Sequence, residues 1–139
     1  MVINNLNLKF FLLLILLVLT GYSHARSVKS VNISSIGQTL KAVTNPYEIN
    51  ACKKFRPTKK QVINYFKHAY PVESDVIVNS RYSSCYAEGD LSFSDGSFGT
   101  WRLYSSGGST FIFNRGDIVT LLYKHNQWHD PNGGTYDIK

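Results

Sequence analysis

The chain has 139 residues, two cysteines, 43% hydrophobic residues and a formal net charge of +6. That length suits one domain, and no internal repeat or low-complexity run suggests a solenoid or a disordered array. The positive charge on its own would allow a nucleic-acid partner, but the amino-terminal features below argue against one.

The first elements are read as an address. A short region ending at Lys9 precedes an unbroken apolar run from Phe10 to Leu19, broken by Gly21. That run has the length of a secretory hydrophobic region and is too short to span a bilayer as a helix. Ser23-His24-Ala25 supplies the small residues of a cleavage site after Ala25. Residues 1–25 therefore read as a signal peptide, with an uncut membrane anchor as the alternative. The mature chain is expected to be periplasmic or secreted, to hold no transmembrane segment and to meet no nucleic acid.

Charge is segregated along the mature part. From Arg26 to Val72 nine basic residues face Glu48 alone, whereas Glu73 to Lys139 holds five basic and eight acidic residues. The basic part suits an anionic partner such as an envelope surface. Cys52 and Cys85 form an even pair in an exported chain, which predicts one disulfide, with two buried thiols as the bland alternative.

Residues 26–50 read as a leader segment, polar enough to be mobile, in which Ile36, Leu40 and Val43 have the spacing of a short helical turn. Asn45-Pro46 marks a turn. Residues 51–139 read as a single domain of α+β class: one amphipathic helix packed on a four- to five-stranded antiparallel meander. The helix is predicted over Thr58 to Tyr70. Thr58 and Gln61 form a capping box, Val62, Phe66 and Ala69 share a face flanked by Ile63 and Tyr70, and Pro71 ends it. Lys59 and Lys60 oppose the helix dipole in the first turn. With Lys53, Lys54 and Arg56 they form a basic cluster suited to a contact.

Asp75 to Val78 is short and β-branched and could supply a fifth strand. The meander runs from Ser84 to Lys124. Cys85, Ala87, Gly89, Leu91 and Phe93 alternate with polar residues, the pattern of a half-buried strand. Turns at Ser94–Ser97, Ser105–Gly108 and Asn114–Asp117 separate strands at Phe98–Tyr104, Ser109–Phe113 and Ile118–Lys124. Tyr86 and Tyr104 fall opposite the apolar sets of their strands, and with Arg102 they are natural binding hot spots.

The tail, His125 to Tyr136, is rich in reactive residues. His125 and His129 have the spacing of paired metal ligands on a helix, with Asp130 as a third group, but Asp130-Pro131 and Asn132-Gly133 argue for a loop. The bland reading makes Trp128 a plug at the end of the sheet and leaves the histidines and Asp130 to loop hydrogen bonds. No serine sits in a nucleophile elbow, and no cofactor or metal is called for.

The signal sequence, the cysteine at a strand start, the meander and His125-x-x-Trp128-His129-Asp130-Pro131 resemble the small uncharacterised exported proteins of Gram-negative bacteria. The likeness covers the chain from about Cys52 onward and brings no assigned activity. Such proteins include inhibitors and immunity proteins that neutralise lysozymes or toxins. The reading that follows is a non-enzymatic exported protein that binds another protein. Its candidate contact residues are Tyr86, Arg102, Tyr104, Trp128 and the basic cluster. The rival is a small envelope hydrolase or metal-dependent protein using His125, His129 and Asp130.

Overall fold

The computed structural model describes residues 26–136; the expected signal sequence lies outside them. Strand β1 (Val28–Thr39) leads, followed by helix α1 (Pro46–Cys52) and helix α2 (Lys59–His68). A two-residue strand β2 (Tyr70–Pro71) and one π-helical turn (Val76–Ser80) come next. Strands β3 (Cys85–Phe93), β4 (Phe98–Tyr104), β5 (Gly108–Phe113) and β6 (Ile118–Leu122) complete the α+β fold. The six strands form one antiparallel sheet in the order β1-β3-β4-β5-β6-β2.

The meander β3 to β6 follows from tight turns that leave successive strands no choice but to pair as neighbours. At the first turn the Asp95 carboxylate accepts from the Ser97 backbone N–H at 2.9 Å, and Gly96 takes φ +85°. That left-handed geometry is what a glycine supplies without steric cost.

The amino-terminal segment corrects the helical-turn reading. Ile36 lies in β1, Leu40 and Val43 lie in the turn that follows, and β1 pairs with β3 along its length. Its register shifts between Val28 and Ser30, between Ile33 and Ser35, and between Ser35 and Gln38. Each shift interrupts the strict alternation by which a strand is recognised. The Asp75 to Val78 stretch is not a fifth strand either. Val76–Ser80 turns as a π-helix and sets Ile77 against Gly108, where an added Cβ would lie 2.7 Å from the Ile77 side chain. The strands beyond the meander are β1 and β2.

Helix α2 keeps its predicted capping box: the Thr58 N–H donates to Gln61 Oε1 at 2.8 Å, and the Gln61 N–H donates to Thr58 Oγ1 at 3.3 Å. It ends at His68, and Tyr70 is extended, as a residue before proline prefers. The buried stripe is Val62, Tyr65 and Phe66, with Ala69 half-buried, while Ile63 and Tyr70 are exposed. Phe66 packs on Trp101 and Phe111, with centroids at 6.1 and 5.9 Å. Tyr65 sits in the core because its hydroxyl donates to Ser109 Oγ at 3.0 Å and lies 3.2 Å from the Leu121 carbonyl. Burial pushes its pKa upward.

The disulfide between Cys52 and Cys85 is formed, with Cα atoms 4.8 Å apart. It ties the end of α1 to the start of β3, inside the cluster that holds Phe55, Val62, Leu103 and Trp101. Among the described residues no helix is long and apolar enough to cross a membrane.

Candidate functional site

The helices fill one face of the sheet, and its opposite face is open at the centre. Strand register decides what stands there. Tyr86 lies across from Tyr104, Glu88 across from Arg102, Arg102 across from Thr110, and Thr100 across from Ile112. Residues directly opposite in antiparallel strands share a face, so these side chains form one surface. Of these, Glu88, Thr100, Arg102, Tyr104, Thr110 and Ile112 line a hollow of about 450 Å³ together with Ser34 of β1.

At the hollow's edge Arg102 donates to Glu88 Oε1 from Nε at 2.8 Å and from Nη2 at 2.5 Å. Its guanidinium lies 4.4 Å from the centroid of the Tyr86 ring, which meets the Tyr104 ring edge-on at 6.4 Å. Partial burial works against the Arg102 charge, but the hydrogen bonds and charge of Glu88 outweigh it, and the pKa is raised. The fork is thus held over the Tyr86 ring and stays cationic. On the other side the surface turns apolar: Ile112 faces Ile118 across β5 and β6, and Phe98 continues the exposed row of β4.

The structure therefore brings Tyr86, Arg102 and Tyr104 together. It divides the basic cluster, in which all five residues are exposed. Lys53 and Arg56 line a second hollow between β1 and α1, whereas Lys59 and Lys60 occupy the first turn of α2. Trp128 is turned inward. Its indole N–H donates to the Ser105 carbonyl at 2.8 Å, and its ring packs 5.7 Å from Phe55 and 5.8 Å from Tyr65.

The tail after β6 is a loop without helix, so the spacing of His125 and His129 places no paired ligands on a helical face. Both imidazoles are exposed, and His125 meets the Tyr123 ring edge-on. Asp130 is occupied elsewhere: Oδ1 accepts from Ser105 Oγ at 2.6 Å and from the Asn132 N–H at 2.9 Å. Among the described residues no group of three or more His, Cys, Asp or Glu could hold a metal ion.

Sequence reasoning missed the polar nest to which Asp130 belongs. Ser83 and Ser105 share a hydrogen bond at 2.7 Å, and Asn132 donates to Ser83 at 2.8 Å. Arg81, only 5% exposed, donates to the Ser106 carbonyl and lies 4.3 Å from the centroid of Tyr136. Burial lowers the Arg81 pKa, and the charge of Asp130 works against that fall. The clue was the pairing of Ser83-Ser84 with Ser105-Ser106, small hydroxyls that precede β3 and follow β4 at the open end of the hairpin. Ser105 has no exposure at all, so a substrate cannot reach its hydroxyl, and the nest fastens the tail to the sheet.

No protein-family model, curated protein or solved structure matches the chain.

Proposed function

We propose that the chain is an exported, non-enzymatic binding protein that recognises another protein, of the inhibitor or immunity kind, through the open face of its sheet. The observation that carries this reading is the Tyr86–Arg102–Tyr104 cluster beside the exposed Phe98, Ile112 and Ile118. Aromatic rings and arginine next to apolar surface are the composition of interaction hot spots. The Glu88 bridge pre-orders the guanidinium, which lowers the entropy lost when a partner docks.

Export rests on the apolar run Phe10–Leu19 with its small-residue cut at Ala25, and the disulfide fits an oxidising compartment. Amino-terminal sequencing of the secreted or periplasmic form should begin at Arg26.

The experiment for recognition is chemical cross-linking in the native envelope with the wild type, an Arg102→Ala/Tyr104→Ala variant, and a Lys59→Gln/Lys60→Gln variant. One cross-linked partner that disappears with the first variant and persists with the second is the expected result. Equal capture by all three forms would sink the open face as the recognition surface.

A further inference from the structure

We propose a second site, independent of the open face: the hollow between the end of β1 and α1 binds a phosphate-bearing anion through Lys41, Lys53 and Arg56. The hollow measures about 490 Å³, and Gly37 and Gln38 contribute to its wall.

The fold builds this site on fixed backbone. The Gly37 N–H donates to the Phe55 carbonyl at 2.9 Å, so β1 crosses directly over the segment that follows α1. Gly37 has φ +62°, and a Cβ there would stand 3.0 Å from the Lys53 Cα, which is why the strand can approach so closely. Cys52, the residue before Lys53, is bonded to Cys85, and Thr39 pairs with Cys85. The cations therefore come from two stretches of chain clamped to one another, with Lys41 on one stretch and Lys53 and Arg56 on the other.

Charge identifies the ligand. Among the described residues no carboxylate lines the hollow. Elsewhere among the described residues the arginines have partners: Arg26 bridges Asp95, Arg102 bridges Glu88, Arg115 bridges Asp117, and Arg81 donates to a buried carbonyl. Within that same set Arg56 makes no side-chain ion pair or hydrogen bond, and neither does Lys41 or Lys53. Glu48, the acid of this half of the chain, accepts from Ser84 Oγ. Like charges around one concavity repel until an anion enters. A guanidinium fork with two ammonium groups suits the several oxygens of a phosphate, and each contact is a charge-assisted hydrogen bond. Ile36, Leu40, Val43 and Ile49 form an apolar wall for whatever carries the phosphate, a lipid among the candidates.

The test uses the mature protein with two probes: inorganic pyrophosphate by calorimetry, and sedimentation with vesicles of phosphatidylglycerol against vesicles of phosphatidylcholine alone. The groove variant is Lys41→Gln/Lys53→Gln/Arg56→Gln. The control, Lys54→Gln/Lys59→Gln/Lys60→Gln, removes the same charge outside the hollow. All six side chains are exposed, so both variants should fold, and circular dichroism checks this. Saturable binding of at least one probe is expected, weakened about tenfold or more by the groove variant through loss of charge-assisted contacts. The control should change it by less than about twofold, as long-range screened charge allows. Binding of both probes identifies phosphate itself as sufficient; binding of phosphatidylglycerol vesicles alone identifies the lipid headgroup. Saturation by neither probe overturns the proposal, and so does an equal loss in the two variants, which would assign binding to net charge.

Discussion

The hydroxyl of Tyr65 reaches across from α2 to Ser109 of β5, 3.0 Å away in a fully buried position. One oxygen thus joins the helix to the sheet in a place where neither partner can turn to water. Tyr65→Phe preserves the ring and strands Ser109, so it should destabilise the fold by about 1–3 kcal/mol. Urea unfolding of the two proteins measures this. Adding Ser109→Ala to the Tyr65→Phe variant should then cost little further, because the unpaired hydroxyl is gone.

The disulfide should contribute about 3–4 kcal/mol for the sequence separation it closes, through the entropy of the unfolded chain. That separation is 33 residues. Cys52→Ser/Cys85→Ser should lower the urea midpoint accordingly. A variant of undiminished midpoint would show that the contacts of α1 with β1 and β3 hold the staple region alone.

Gly89 has no room for a side chain. An added Cβ would fall 2.0 Å from the Asn32 carbonyl oxygen and 2.6 Å from the Trp101 ring. Gly89→Ala should destabilise the protein by about 1–3 kcal/mol or more, since backbone and a buried indole must both move. Amide exchange should quicken first across the β1–β3 ladder.

Asp95 links the first hairpin turn to pH. Its carboxyl is held below the usual 3.8 by hydrogen bonds from the Ser97 side chain and backbone, and further by Arg26. A carboxyl whose folded pKa is depressed stabilises the fold above its unfolded pKa, and that stabilisation is lost as pH falls through the folded value. The stability difference between the wild type and Asp95→Asn should therefore be constant above about pH 5 and shrink as pH drops below the ordinary carboxylate value. Thermal midpoints from about pH 2 to 7 test this.

The tail separates two readings of its reactive residues. His125→Ala and His129→Ala should each alter stability by no more than about 0.5 kcal/mol, as exposed side chains do. Asp130→Ala should cost about 1–3 kcal/mol by leaving the Ser105 hydroxyl and the Asn132 N–H without their acceptor. Loss of a hydrolytic activity with any histidine variant, at unchanged stability, would instead favour an envelope hydrolase.

What the sequence made legible follows from the range of the interactions. The meander could be read because each turn and alternation lies within a few residues, and the α2 capping box is equally local. Tyr86 and Tyr104 could be placed on one face by counting in twos. β1 could not be read that way, because its register shifts break the count between Ile33 and Gln38. Val76-Ile77-Val78 looks like a strand in isolation; in the fold Ile77 sits against Gly108, a contact no local pattern encodes. The same applies to the cations of the second hollow, where Lys41 meets Lys53 and Arg56 only after β1 has docked.

The long pairing of β1 with β3 also sets an order of assembly. Hairpins β3 to β6 close short loops, whereas Ser30 must wait for Ser92 and Thr39 for Cys85. Once Cys52 and Cys85 are joined, the gap from Thr39 to its partner is bridged by the short stretch from Thr39 to Cys52. Oxidation thus brings the docking of the first strand within easy reach of the finished hairpins. In a reducing compartment that strand would be the last to settle.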